Sequence, residues 1–179
     1  MSDYREFYDV KHEIFDYVLE NTEVFYQESE EIYRNNFFLD WYNKHIFNQG
    51  WQVLGLRYEG NNFLNEVVKK HCAGLYSLLT RYDEYIYSVA YSSLKPGTII
   101  YPHFDRMRPH NVLRSHLGLH IPDGECGIKI NNIERGWKKG ELMIFDDSYT
   151  HEAWNKTDET RIVLLIDLHR DMIMQETTV

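Results

Sequence analysis

From Tyr85 onward the chain is a succession of short apolar segments cut by tight-turn signals, and that rhythm limits the folds open to it. The segments run 98–104, 115–121, 126–131, 141–145, 149–154 and 160–169. Each has the length of a strand rather than a helix. Lys95-Pro96-Gly97, Pro122-Asp123-Gly124, Lys139-Gly140 and Asp146-Asp147-Ser148 punctuate them. Ahead of these, Tyr85, Tyr87, Val89 and Tyr91 recur at period two, the spacing that places side chains on one face of a strand. Many short strands joined by tight turns close into a sandwich or barrel. A jelly roll, or double-stranded β-helix, fits their number.

The first third has a different period. Phe7, Val10, Ile14 and Val18 predict a helix over 3–20. Ile32, Phe37, Trp41 and Ile46 predict a second over about 26–46, and Phe63, Val67, Val68, Leu75, Leu78 and Leu79 a third over 62–81. Between them, Trp51-Gln52-Val53-Leu54-Gly55-Leu56-Arg57-Tyr58 reads as a strand. The expectation is one domain over 1–179: a helical support over about 1–81 with one strand, and a β-helix core over about 85–170. No linker divides the chain, and no period of a repeat protein is visible.

With 43% apolar and 26% charged residues, the composition is that of a soluble globular protein. The net charge of −9 excludes a basic stripe for nucleic-acid backbones. The run Arg106-Met107-Arg108-Pro109-His110 is sized for a single carboxylate instead. Two cysteines, Cys72 and Cys126, form neither a zinc spacing nor a disulfide framework, which favours a reducing compartment. The segment Met1–Glu6 is too polar for a signal peptide, and no apolar run approaches the roughly 20 residues that cross a bilayer. A soluble, cytoplasmic chain with no nucleic-acid or membrane partner is expected, its oligomeric state left open.

Six of the nine histidines lie after residue 100, in the β-rich part. In Tyr101-Pro102-His103-Phe104-Asp105 an imidazole and a carboxylate stand two residues apart, on one face of a strand. With His151 from a distant strand they compose two histidines and one carboxylate, the facial triad of non-haem Fe(II) oxygenases. A lone His-x-Asp is common by chance. What accompanies it is Arg161, which opens the strand Ile162-Val163-Leu164-Leu165-Ile166, apolar on both faces. A buried arginine needs an anion. A protein acid satisfies that need, and so does a dicarboxylate cosubstrate.

Several segments together resemble the aspartyl/asparaginyl β-hydroxylase family: Ser92-Ser93-Leu94-Lys95-Pro96-Gly97-Thr98, Pro102-His103, Arg114-Ser115-His116-Leu117-Gly118-Leu119-His120-Ile121-Pro122, and the stretch from Gly140 through Asp146-Asp147-Ser148-Tyr149-Thr150-His151 to Asn155. The resemblance covers roughly residues 51–170. It implies a double-stranded β-helix that uses Fe(II), 2-oxoglutarate and O2. It implies His103 and His151 as iron ligands. Arg161 is implied to bind the far carboxylate of 2-oxoglutarate with Ser92 beside it, and Arg114 and His116 to face the end nearer the metal. Some members of the family have no acid at the position of Asp105. Its presence here argues for hydroxylation rather than halogenation. The span from His103 to His116 is slightly longer than in the animal enzymes, and it contains Arg106, a candidate for a substrate carboxylate.

The expected reaction is hydroxylation of an unactivated C–H bond of an amino acid or amino-acid side chain, Asp-, Asn- or Pro-like, free or peptidyl. Two alternatives stay open on the residues alone: a cupin-like metal enzyme without 2-oxoglutarate, and a non-catalytic module that binds a small acid. Of the remaining features, Tyr85, Tyr87 and Tyr91 read as half-buried strand surface before they read as a substrate wall. Trp137 and Trp154 read as packing. Asp146-Asp147-Ser148 reads as a turn that sets the register of His151. His120, four residues from His116, shares its strand face.

Overall fold

The computed structural model describes residues 5–62, 66–105 and 111–174. Its strands are β1 (Phe7–Tyr8), β2 (Leu39–Asp40), β3 (Trp51–Tyr58), β4 (Asn61–Asn62), β5 (Ile86–Leu94), β6 (Thr98–His103), β7 (Val112–His120), β8 (Cys126–Ile130), β9 (Ile133–Gly136), β10 (Leu142–Phe145), β11 (His151–Asn155) and β12 (Arg161–His169). The helices are α1 (Glu13–Glu20), α2 (Thr22–Arg34), α3 (Glu66–His71), α4 (Ala73–Arg81) and α5 (Arg170–Ile173). Strands β1-β10-β7-β12-β5-β3-β2 form the larger sheet, with β4 on β3. Strands β6-β11-β8-β9 form the smaller one. The two antiparallel sheets make the expected double-stranded β-helix.

Strand β12 shows how one sequence serves two cores. Ile162, Leu164, Ile166 and Leu168 face the helices, in a cluster with Ile14, Phe25 and Leu78. Val163, at the alternate parity, packs between the sheets with Leu94, Ile128 and Phe145. Arg161, Leu165 and Asp167 share that inner parity and line a cavity. The run is apolar on both faces because both faces are covered. Tyr91, fully buried, lies in the helix-side core, so it is neither half-buried strand surface nor a substrate wall.

The helical third departs from its periodicity in three places. Phe7 and Tyr8 pair with β10, since a sheet edge needs partners for its main-chain groups; helix α1 begins only at Glu13. Helix α2 stops at Arg34. Asn36 takes the left-handed conformation (φ 55°), Phe37 N donates to Ile32 O at 3.1 Å and Asn36 N to Tyr33 O at 3.2 Å. That is a Schellman ending, and it turns Trp41 and Ile46 into a connecting segment that packs on the inter-sheet core. The third predicted helix is split at Cys72 into α3 and α4; Phe63 lies outside the described residues.

Glu28 explains the second start. Its carboxylate, on α2, accepts from Gly74 N and from Leu75 N at 3.2 Å, capping α4 from another helix, and from the Tyr91 hydroxyl at 2.6 Å. Burial raises the Glu28 carboxyl above the usual range despite these bonds. Glu28→Ala would strand two main-chain donors and a buried phenol. We expect a loss of about 3 kcal/mol, read as a lower urea midpoint at unchanged m-value. Both cysteines are buried thiols, and among the described residues no helix is long and apolar enough to cross a membrane.

Candidate metal and anion site

His103 ends β6 and His151 begins β11, and the two are cross-strand partners in the smaller sheet. Their rings lie 4.3 Å apart between centroids. Each imidazole Nδ1 donates to a main-chain carbonyl two residues earlier, His103 to Tyr101 O at 2.7 Å and His151 to Tyr149 O at 2.9 Å. With the proton fixed on Nδ1, each Nε2 keeps its lone pair, the arrangement a metal-ligating histidine needs. Burial, reinforced by the neighbouring His103 ring, pushes His151 below the ordinary imidazole range, so it is neutral at neutral pH.

The turn before β11 sets this register. Asp146 Oδ1 accepts from Ser148 N at 3.0 Å and from its hydroxyl at 2.6 Å, as an Asx turn does. Asp147 points the other way, into the site, where it meets Arg114 Nη1 at 3.0 Å.

Asp105 lines the same cavity, and its carboxylate lies 3.7 Å from Arg114 Nη1. Among the described residues no three His, Cys, Asp or Glu side chains gather closely enough to grip a metal. The structure therefore brings the two imidazoles together and places Asp105 on the adjoining wall, against Arg114. The two imidazoles, beside a wall bearing Asp105 and Asp167, offer nitrogen and carboxylate donors to a divalent cation. These donor types are ones Fe(II) takes, with Asp105 standing apart from the imidazole pair beside Arg114.

Arg114 is held more firmly than the resemblance implies. It meets its cross-strand partner Asp167 through Nε at 2.7 Å and Nη2 at 3.2 Å. Its guanidinium thus orders the carboxylate wall while lining the cavity. His116, two residues on and on the same face, accepts from Trp137 Nε1 at 3.1 Å through Nδ1 and so carries its own proton on Nε2. His120, at the strand's end, instead lies 3.5 Å from Glu159.

Arg161 is the outlying charge. It is 1% exposed. Its Nη1 donates to Ser92 O at 3.1 Å, its guanidinium lies 4.5 Å from the Trp137 ring centre, and its Nε has no acceptor among the described residues. Burial lowers its pKa to about 10, which leaves it charged at neutral pH. No carboxylate of the described residues pairs with it. A buried cation in that state is costly until an anion arrives. Ser92 contributes its carbonyl; its hydroxyl accepts from Trp51 Nε1 at 3.2 Å.

A cavity of about 500 Å³ joins His103, Asp105, Arg114, His116, His151 and Arg161. Arg106 lies outside the described residues. Trp137, read from sequence as packing, touches both His116 and Arg161. It arrives there because the turn before β10 presses on β7: a Cβ on Gly118 would meet Lys138 O at 2.1 Å, so only glycine admits the turn. Asp167 was also missed, although it shares the inner parity of Arg161 on the same apolar strand, and that parity was a signal available in the sequence.

The family model described as Aspartyl/Asparaginyl beta-hydroxylase matches residues 6–171. The chain is 39% identical over 90 residues to the aspartyl/asparaginyl beta-hydroxylase of Mus musculus, which covers 49% of this chain and 12% of that one. It is 44% identical over 80 residues to the ornithine lipid ester-linked acyl 2-hydroxylase of Rhizobium tropici, covering 43% of this chain and 27% of that one. The chain thus spans well under half the length of these relatives. A crystal structure of a Pseudomonas putida prolyl-4-hydroxylase superposes with a TM-score of 0.55 at 15% identity, covering 83% of this chain and 87% of that chain, a likeness of fold.

Proposed function

Because the chain belongs to the aspartyl/asparaginyl β-hydroxylase family, we propose that it is an Fe(II)- and 2-oxoglutarate-dependent dioxygenase that hydroxylates an unactivated C–H bond of an amino acid or amino-acid side chain, free or peptidyl. The observation that carries this reading is the buried, anion-less Arg161 in the same cavity as the His103–His151 pair. When bound, iron with 2-oxoglutarate and O2 supplies the oxidising power that breaks such a bond.

The chain's own residues do the holding and the orienting. His103 and His151 offer Nε2 lone pairs to the metal, with their rings fixed by the main-chain carbonyls behind them. Asp105, whose carboxylate lies 3.7 Å from Arg114 Nη1, would supply the third ligand. Arg161 receives the far carboxylate of the dicarboxylate, where its charge and fork match the oxygens. Trp137 backs the guanidinium, keeps water from it and fixes the His116 tautomer. His116 then presents a donor on the cavity wall. Arg114 keeps the carboxylates of Asp147 and Asp167 in place. The relatives are named for protein Asp/Asn residues in one case and a lipid acyl chain in the other, so this machinery does not by itself select the C–H bond.

The test is an anaerobic titration with Fe(II) and then 2-oxoglutarate, followed in the visible for a metal-to-ligand charge-transfer band. The band is expected in the wild type and absent in His103→Ala. Iron binding without a band would make the chain a cupin-like metal protein that does not take 2-oxoglutarate.

A further inference from the structure

Beyond the histidine pair and Arg161, the cavity continues along a wall of aromatic rings. Trp41 and Trp51 stack with centroids 4.8 Å apart, and Tyr58 meets Trp41 edge-on at 5.9 Å. Val53, Leu39 and the exposed Tyr42 extend the lining toward the mouth. The rings show this space carbon rather than polar atoms. Trp51 spends its N–H on Ser92 Oγ, and Trp41 Nε1 is enclosed with no acceptor among the described residues.

Charge is also withheld from this part. Arg57 lines it, but its guanidinium is saturated: it pairs with the Asp83 carboxylate and donates to Asn62 Oδ1 at 2.7 Å, Asp83 O at 2.8 Å and Ile86 O at 2.9 Å. Asp40, also lining it, pairs with Lys44 at 2.9 Å and accepts from Gln52 at 2.8 Å. Among the described lining residues, no cation here is left to hold a substrate carboxylate. Desolvating a carboxylate against ring faces costs far more than desolvating a neutral group. The wall is continuous with the anion site through Trp51, whose partner Ser92 also holds Arg161.

We propose that this wall is a substrate subsite that seats an uncharged aromatic or branched aliphatic group, and that Trp41 and Tyr42 determine specificity by favouring that group over a carboxylate. The inference rests on reading the cavity as the hydroxylation site. A substrate enters with its neutral apolar part against Trp41, Trp51 and Tyr58, and its reacting carbon is directed toward the histidine pair. A free acidic amino acid is the class this wall rejects.

The experiment uses the full chain and two matched probes, N-acetylphenylalanine amide and N-acetylphenylalanine, with N-acetylaspartate as a third. Binding is followed by saturation-transfer NMR and by tryptophan fluorescence, without metal and again with Zn(II) and 2-oxoglutarate. The neutral amide is expected to bind at least ten-fold tighter than either carboxylate in metal-free Arg161→Met, where the anion site no longer competes for the carboxylates. Trp41→Ala and the exposed-site variant Tyr42→Ala are each expected to weaken it at least five-fold, with Trp41→Phe restoring most of the loss. Far-ultraviolet circular dichroism establishes that each variant is folded. Equal or tighter binding of the carboxylates by metal-free Arg161→Met, no binding of the amide at millimolar concentration, or undiminished binding by folded Trp41→Ala and Tyr42→Ala would each overturn the proposal. Because the metal-free arm needs neither iron nor 2-oxoglutarate, loss of the charge-transfer band alone would strike the oxygenase reading and leave this one standing.

Discussion

His103→Ala and His151→Ala are each expected to abolish iron binding and to lower hydroxylation by at least about 100-fold, the upper range for disturbing even the residues behind a metal ligand. The two imidazoles are cross-strand partners on one cavity wall. Iron retention by equilibrium dialysis, together with succinate release, checks this; turnover retained in either variant would remove that histidine from the metal site. His151 carries a further signature in the metal-free protein. Its folded pKa lies below the ordinary value of 6.5. Between the folded and unfolded values the unfolded chain binds more protons, so stability rises with pH across that window and falls as pH drops below 6.5. Urea midpoints at pH 7.5 and 5.5 are expected to differ more in the metal-free wild type than in metal-free His151→Ala, which lacks the titrating ring. A merely structural His103–His151 contact would leave iron binding intact in both variants.

What the sequence made legible follows the strength of its periodic signals. Strands β5, β6, β7, β8, β10, β11 and β12 were visible because burial on one or both faces leaves an apolar record, and tight turns mark their ends. Strand β9 was not. Its residues Ile133 to Gly136 are exposed, so no apolar alternation marks it, and only pairing with β8 makes it a strand. The segment after Arg34 misled for the opposite reason. Phe37, Trp41 and Ile46 are apolar at helix-like intervals because they cover two different cores from an irregular path. In the site, His103, His151 and Arg161 were found by residue type and spacing. Trp137 was not, because its role depends on a turn pressed against Gly118, a contact between segments that no local pattern encodes. The engagement of Arg114 by Asp147 and Asp167 was likewise a matter of register between strands.

Arg161→Met is expected to weaken 2-oxoglutarate binding by about 100-fold, while leaving iron binding and the stability of the metal-free protein undiminished. The first part follows from losing a charge-assisted, forked contact: at about 1.5–3 kcal/mol for each hydrogen bond to a charged group, about 3 kcal/mol is two decades in affinity. The second part is the sharper one. In the ligand-free protein Arg161 is 1% exposed, its only described hydrogen bond goes to Ser92 O, and burial already lowers its pKa to about 10. A methionine of similar length fills the space over Trp137 without an uncompensated charge, and replacing such a charge by an apolar side chain is commonly neutral or stabilising. Ligand then reverses the order. A dicarboxylate at 100 times its dissociation constant adds about 2.7 kcal/mol to the wild type, and at the same concentration that increment is expected to fall to about 0.4 kcal/mol in Arg161→Met. Urea unfolding with Zn(II), with and without 2-oxoglutarate, reads both effects in one series. An arginine kept for structure would behave oppositely, destabilising the ligand-free protein on replacement and leaving the 2-oxoglutarate increment unchanged. The buried charge is thus a cost carried by the empty fold, and its function lies in the anion that offsets it.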